Sequence, residues 1–272
     1  MALKLMYITN RTDVIEAVQG IGVDRIFIDL EKLGKEARQP KMDTVKSSHT
    51  IDDVVAARKV LSSSELLVRI NSIWDGTKKE IDEVVEAGAD IIMLPFFKDA
   101  YEVERFLKYV DGRVKTCLLL ETDSAVANID DILSLGGIDE IHIGMNDLHL
   151  CYKKKFMFEL LCDGTVEYLC NKFKNKNIPY GFGGVARIGF GDVPAELVLS
   201  EHYRLGSSMA ILSRQFCKIS EKTEIDTIRE RFKNGIREIR DYEKILLGKD
   251  SDFFEEMHDK LKATVADIVK TR

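Results

Sequence analysis

The sequence predicts an α/β fold: a (β/α)₈ TIM barrel with extra C-terminal helices. Three observations point there. Eight short apolar segments recur along the 272 residues, with helical patterns between them. The segments are nearly continuous in hydrophobicity, as expected of parallel strands buried on both faces. The length suits one barrel of about 250 residues.

The strand segments are Leu3–Thr9, Arg25–Glu31, Leu66–Asn71, Asp90–Phe96, Lys115–Thr122, Glu140–Asp147, Ile178–Val185 and His202–Leu212. The first follows no long apolar run behind a basic start, so it reads as a strand and not as a signal peptide. Between the strands, Asp52–Leu61, Lys78–Ala87 and Asp99–Val110 carry helical spacing, and Gly88 suits the position after a helix end. Three helix-to-strand joins share a rhythm: GVDRIFI, GADIIML and GIDEIHI. A doubly wound nucleotide-binding sheet would want a glycine-rich turn after an early strand. Asn10-Arg11-Thr12-Asp13 stands there instead. The barrel occupies residues 1–217. After Cys217, Ile225, Ile228, Phe232, Ile236 and Ile239 recur three or four apart. Beyond Gly248, Phe254, Met257, Leu261, Val265 and Ile268 form a second stripe. Residues 218–272 therefore read as a helical extension that packs on the barrel or on a neighbouring subunit.

Composition narrows the function. Hydrophobic residues make up 45%, enough for a large core, and the net charge is −6. That balance speaks against nucleic acid as a partner. No run approaches the roughly 20 apolar residues of a membrane helix. The five cysteines form no CxxC pair and suit reduced thiols in the cytoplasm.

Polar residues at the carboxyl ends of barrel strands point to the active site. Here they are Asp29, Glu31 and Lys32, then Arg69 and Asn71, then Glu121, then Asn146 and Asp147. Glu121 closes the apolar run Cys117–Leu120, where an unpaired carboxylate is costly. Two readings stand. Glu121 and Asp147 share a divalent cation, which usually takes one or two carboxylates, or each caps a helix or meets a base. Arg69 either fixes the mouth through Glu31 or Glu121, or grips a carboxylate and a developing enolate oxygen. His149 reads as a surface or mouth histidine. His49 reads as a cap-region residue or a substitute base. The loop Gly34–Thr50, with Lys35, Arg38, Lys41 and Lys46, is either a solvated charged loop or a receiver of acidic substrate. Gly181–Gly184, ahead of Arg187, is a tight turn or an anion-binding run.

At these residues the chain resembles the HpcH/HpaI aldolase/citrate lyase family. The clearest stretch is Glu121–Leu148, with Glu121, Ala127, Asn128, Ile129, Gly144, Asp147 and Leu148 in the family's pattern. Residues 28–31, 68–71 and 88–95 match as well. The resemblance implies metal ligation by Glu121 and Asp147, with Mg²⁺ first and Mn²⁺ or Co²⁺ as alternatives. It implies that Arg69, Gly144 and Asn146 bind substrate, and that Arg69, Glu31 and Lys32 line the catalytic centre. The expected chemistry is aldolase-type carbon–carbon cleavage of a small 2-oxo acid such as a pyruvate adduct, through an enolate. The alternatives are a citryl- or malyl-thioester lyase, or a barrel that binds a small acid without turnover. A homo-oligomer is expected. Two positions depart from the family. Many of its aldolases place a base-relay histidine where Lys32 stands, and a lysine serves as base only when burial or neighbouring cations lower its pKa. Asn146-Asp147-Leu148 is as similar to phosphoenolpyruvate-using barrels.

Overall fold

The structure is a computed structural model that describes residues 2–33, 48–217 and 223–272. Eight parallel strands close into a barrel in sequence order. They are β1 (Lys4–Ile8), β2 (Arg25–Asp29), β3 (Glu65–Arg69), β4 (Ile91–Pro95), β5 (Lys115–Leu120), β6 (Glu140–Ile143), β7 (Tyr180–Val185) and β8 (Met209–Leu212). The helices are α1 (Thr12–Val18), α2 (Ile51–Val60), α3 (Thr77–Glu86), α4 (Ala100–Val110), α5 (Asp123–Ala127), α6 (Ile129–Ile132), α7 (Met145–Cys151), α8 (Glu159–Cys162), α9 (Thr165–Asn175), α10 (Ala195–Leu205), α11 (Ile225–Leu246) and α12 (Ser251–Thr271). No described helix is long and apolar enough to cross a membrane. The loop cluster Lys35, Arg38, Lys41 and Lys46 lies outside the described residues.

Two strand boundaries differ from the sequence reading. The apolar run His202–Leu212 crosses a helix end. Residues 202–205 finish α10, and Gly206 ends it in the left-handed region at φ 74°. Only Met209–Leu212 is strand, because hydrophobicity alone does not separate a buried helix turn from a buried strand. Likewise β6 stops at Ile143, and Asn146 and Asp147 lie in the first turn of α7.

Side-chain alternation divides the barrel into an inside and an outside. The larger core lies between strands and helices. Inside the barrel sits a second cluster of Met6, Phe27, Leu67, Ile91, Met93, Cys117, Leu119 and Met209. A charged floor closes its lower end. Arg25 is fully buried and donates to both Glu140 oxygens at 2.6 and 2.7 Å and to Glu65 at 2.8 Å. Lys115 reaches Glu65 at 2.7 Å and Lys4 reaches Glu140 at 3.6 Å. These residues all sit at or near strand starts, so the opposite end is left open for a site.

The helix α11 packs against α1 and closes the ring of helices. Phe232 meets the rings of Tyr7 at 4.8 Å and Phe216 at 5.4 Å. Glu243 accepts the Leu3 N–H at 2.8 Å, tying α11 to the entry of β1. The last helix, α12, lies on α10 and α8. Buried Glu201 of α10 meets His258 of α12 at 3.0 Å and Arg204 at 2.9 Å. One continuous core runs through residue 217 into Phe232, Leu261 and Val265.

Candidate active site

Three strands aim alternate residues from the floor to the mouth. Arg25, Phe27 and Asp29 share one face of β2, and Glu65, Leu67 and Arg69 share the matching face of β3. Asp29 and Arg69 are register neighbours. Arg69 therefore reaches Asp29 with two parallel bonds, Nε to Oδ1 at 2.8 Å and Nη2 to Oδ2 at 2.8 Å. Its Nη1 lies 3.5 Å from Glu31 Oε2. The guanidinium stands over the Phe27 ring at 5.5 Å. Burial opposes its charge, but Asp29, Glu31 and Glu121 outweigh that and hold its pKa above the ordinary value. The sequence reading paired Arg69 with Glu31 or Glu121. Its main partner is Asp29, because strand register decides which carboxylate stands alongside.

Glu121 follows β5 and is buried. The Phe96 N–H donates to its Oε1 at 3.1 Å, and Phe96 adopts the left-handed region at φ 52°. On the other side stands Gly144, where an added Cβ would come 2.6 Å from Glu121 Oε2. Thr122 anchors the next residue by donating to the Phe97 carbonyl at 2.7 Å. The carboxylate is thus seated between the exits of β4 and β6. Asp147, also buried, enters from α7. Cys151, at the end of α7, brings its Sγ to 3.9 Å from the Glu121 carbonyl oxygen. Burial raises the thiol's pKa first, and Asp123, Asp147 and Glu121 add to it. Both candidate ligands therefore lie within electrostatic reach of one thiol, which the sequence reading had not singled out because Cys151 lies 30 residues from Glu121.

The other candidates separate. Glu31 is buried and its N–H bonds Asp29 Oδ1 at 3.2 Å. Lys32 is exposed, so the burial that a lysine base requires is absent. Its backbone N–H and that of Leu33 bond Asn71 Oδ1 at 2.8 and 2.9 Å. Asn146 is exposed, whereas Gly144 is half-buried beside Glu121. His49 is buried, and its Nδ1 accepts the Asp29 N–H at 3.0 Å. That bond takes the Nδ1 lone pair and leaves the ring proton on Nε2, so His49 is poised to donate, not to accept. His149 is buried, and its Nδ1 stands 3.1 Å from the Met145 carbonyl within α7. The Gly181–Gly184 run is neither a turn nor a free loop. It is the irregular part of β7, whose register against β8 shifts there. A Cβ at Gly181 would overlap the Met209 carbonyl and come 2.9 Å from His142 Nδ1.

Four carboxylates, Asp29, Glu31, Glu121 and Asp147, thus face one guanidinium, Arg69, at the described mouth. Among the described residues no three His, Cys, Asp or Glu side chains converge as a metal-binding group. Two hard oxygen donors still fit Mg²⁺, which leaves its other positions to water and substrate.

A sequence model of the HpcH/HpaI aldolase/citrate lyase family matches residues 4–156, which include every site residue above. No curated protein matches the chain by sequence. Solved structures share its fold. An HpcH/HpaI aldolase/citrate lyase family protein from Burkholderia cenocepacia J2315 is 12% identical, with 88% of this chain and 95% of that one covered at a TM-score of 0.62. An HpcH/HpaI aldolase from Desulfitobacterium hafniense DCB-2 is 14% identical, with 88% and 93% covered at 0.58. The citrate synthase SbnG is 16% identical, with 78% and 85% covered at 0.59.

Proposed function

The chain belongs to the HpcH/HpaI aldolase/citrate lyase family, and from that premise we propose that it is a divalent-metal-dependent carbon–carbon lyase acting on a small 2-oxo acid. The observation that carries this reading is the excess of buried carboxylate at the barrel mouth. Arg69 is already engaged by Asp29 through two bonds. Glu121 and Asp147 remain as buried anions on adjoining elements. A cation offsets their desolvation and gives an anionic substrate a reason to enter.

Glu121 and Asp147 are the residues that would hold the ion. When bound, it supplies Lewis acidity to the carboxylate and keto oxygens of the 2-oxo acid. The chain's own residues do the rest. Asp29 and Phe27 keep the Arg69 guanidinium in one orientation. Its Nη1 edge then adds positive charge where the enolate oxygen develops. Phe96 and Gly144 fix the Glu121 carboxylate between them. His49 keeps its Nε2–H as a donor and leaves proton removal to another group. Cleavage of 4-hydroxy-2-oxo acids, followed by pyruvate release, tests the reading. EDTA is expected to abolish it, Mg²⁺ to restore it, and Glu121→Gln or Asp147→Asn to lower it by about 100-fold, a loss of about 2.7 kcal/mol of transition-state stabilisation. Calorimetric Mg²⁺ binding is expected to weaken in the same variants. Turnover indifferent to EDTA and to Glu121→Gln would remove the metal from the proposal.

A further inference from the structure

A pocket of about 350 Å³ opens beside the barrel mouth, at the exit of β2 and the starts of α2 and α3. Small-ligand sites fall between roughly 300 and 1,000 Å³. Leu30, Ile51, Trp74 and Val84 give it an apolar lining, and Lys32 and Lys79 bring positive charge. His49 also lines it, and that ring bonds the Asp29 N–H at the mouth. The pocket is therefore contiguous with the candidate active site.

The polar groups of this pocket are not equivalent. Glu80 is spent on Asn71 and Trp74: Oε1 accepts from the Asn71 side chain at 2.7 Å and its backbone at 3.0 Å, and Oε2 accepts the indole N–H at 3.0 Å. Glu83 faces Lys79 at 3.5 Å. Lys32 makes no ion pair among the described residues. Its backbone is nevertheless held by Asn71. So the pocket has one uncompensated cation on an anchored stretch of chain.

Trp74 is the second anomaly. It is the chain's single tryptophan and is 44% exposed, which is unfavourable for so large a ring. Yet it is not loose. The indole N–H is bonded to Glu80, its backbone N–H donates to Thr77 Oγ1 at 2.8 Å, and a Cβ at Gly76 would overlap the ring. A fixed, half-exposed aromatic beside an apolar floor and an unmatched lysine is complementary to an amphiphilic small molecule.

We propose that this pocket is a subsite for the far end of the substrate, and that it takes a chain with an apolar body and an anionic terminus paired with Lys32. Lys32 then determines specificity and does not act as the base. Its connection to the reacting end rests on the lyase reading; the preference of the pocket does not.

Trp74 makes the pocket its own reporter. Hexanoate, 1-hexanol and hexylamine share a six-carbon body and differ at the terminus. Titrated against the full chain, hexanoate is expected to change the tryptophan fluorescence with a Kd at least about tenfold below that of the other two. Lys32→Met is expected to bring hexanoate level with hexanol, and Lys32→Glu to move the preference to hexylamine. Circular dichroism verifies that both variants fold, which the exposed position of Lys32 favours. Hexanoate binding no tighter than hexanol, or a preference that survives Lys32→Met, overturns the proposal. Cleavage assays give a second, separable answer. With 4-hydroxy-2-oxo acids that end in a carboxylate, Lys32→Met is expected to raise KM about tenfold at unchanged kcat, and neutral-tailed substrates are expected to be unaffected. A fall in kcat on both tails would return Lys32 to the chemistry and overturn the assignment. If no 4-hydroxy-2-oxo acid is cleaved at all, the lyase reading fails, and the fluorescence series alone decides the pocket.

Discussion

Replacing Gly144 by alanine tests whether Glu121 must stand where it does. The backbone at Gly144 has φ −82° and ψ 81°, so an alanine there meets no left-handed strain. Its cost is steric. The new Cβ would lie 2.8 Å from Glu121 Cβ, 2.6 Å from Glu121 Oε2 and 3.2 Å from Leu119 Cδ1. Carbon atoms rest at about 3.5–4.0 Å, so Glu121 has to retreat by at least about 0.7 Å. Leu119 lies inside the packed barrel and yields little. That retreat exceeds the roughly 0.5 Å within which a functional group must be held. It also strains the 3.1 Å bond from Phe96. A misplacement near 1 Å can cost about 100-fold in rate. Overpacking adds about 1–3 kcal/mol of destabilisation. The assay is kcat/KM for 2-oxo acid cleavage beside a urea unfolding curve, with Gly136→Ala as the control because nothing lies within 4 Å of its added Cβ. The expected result is a loss of about 100-fold in Gly144→Ala and none in the control. A folded Gly144→Ala protein with activity within about threefold of the parent refutes the argument, since Glu121 would then act from a displaced position or not at all.

Three further outcomes follow from the packing and charge of the barrel. Arg25→Met removes the guanidinium but leaves Glu140 buried at the floor, so a loss of about 3–5 kcal/mol is expected in urea unfolding; a change below about 1 kcal/mol would show that Lys4 and Lys115 suffice. Phe232→Ala empties the contact between α11 and the Tyr7 and Phe216 rings, for an expected loss of about 3–5 kcal/mol by the same measurement. Burial lowers the pKa of His142 to about 4 and that of His202 to about 3. Both are neutral in the fold while the unfolded chain protonates them near pH 6.5, so no destabilisation from them exists above pH 6.5. It grows as the pH falls toward 4, by up to about 3 kcal/mol for His142. Urea midpoints between pH 7 and pH 5, above the range in which most carboxylates titrate, are expected to fall, and a flat profile would contradict the buried neutral assignment.

Much of the fold was legible in the chain because one physical rule repeats eight times. A strand covered on both sides must be apolar throughout, and the helix beside it must carry an apolar stripe. Those demands are local, so the apolar runs and helical stripes display them directly. The rule failed where two buried elements abut: His202 to Leu205 read as strand although they finish a helix. The candidate site was half legible. Strand ends locate Glu121 and Arg69 at the mouth, since alternation carries Arg69 up from Glu65 and Glu121 up from Cys117.

What the sequence by itself determined is the barrel, the family and the carboxylate set around Glu121 and Asp147. Only the tertiary structure decided how those groups are used. Register chose Asp29 as the partner of Arg69. The packing of three strand exits put Gly144 and Phe96 on either side of Glu121. The path of the chain beyond β2 left Lys32 exposed and set His49 against the Asp29 N–H with its acceptor nitrogen occupied. The reason is distance: residue type and spacing follow from local periodicity, whereas a hydrogen-bond partner tens of residues away depends on which strands lie side by side and how their ends are trimmed.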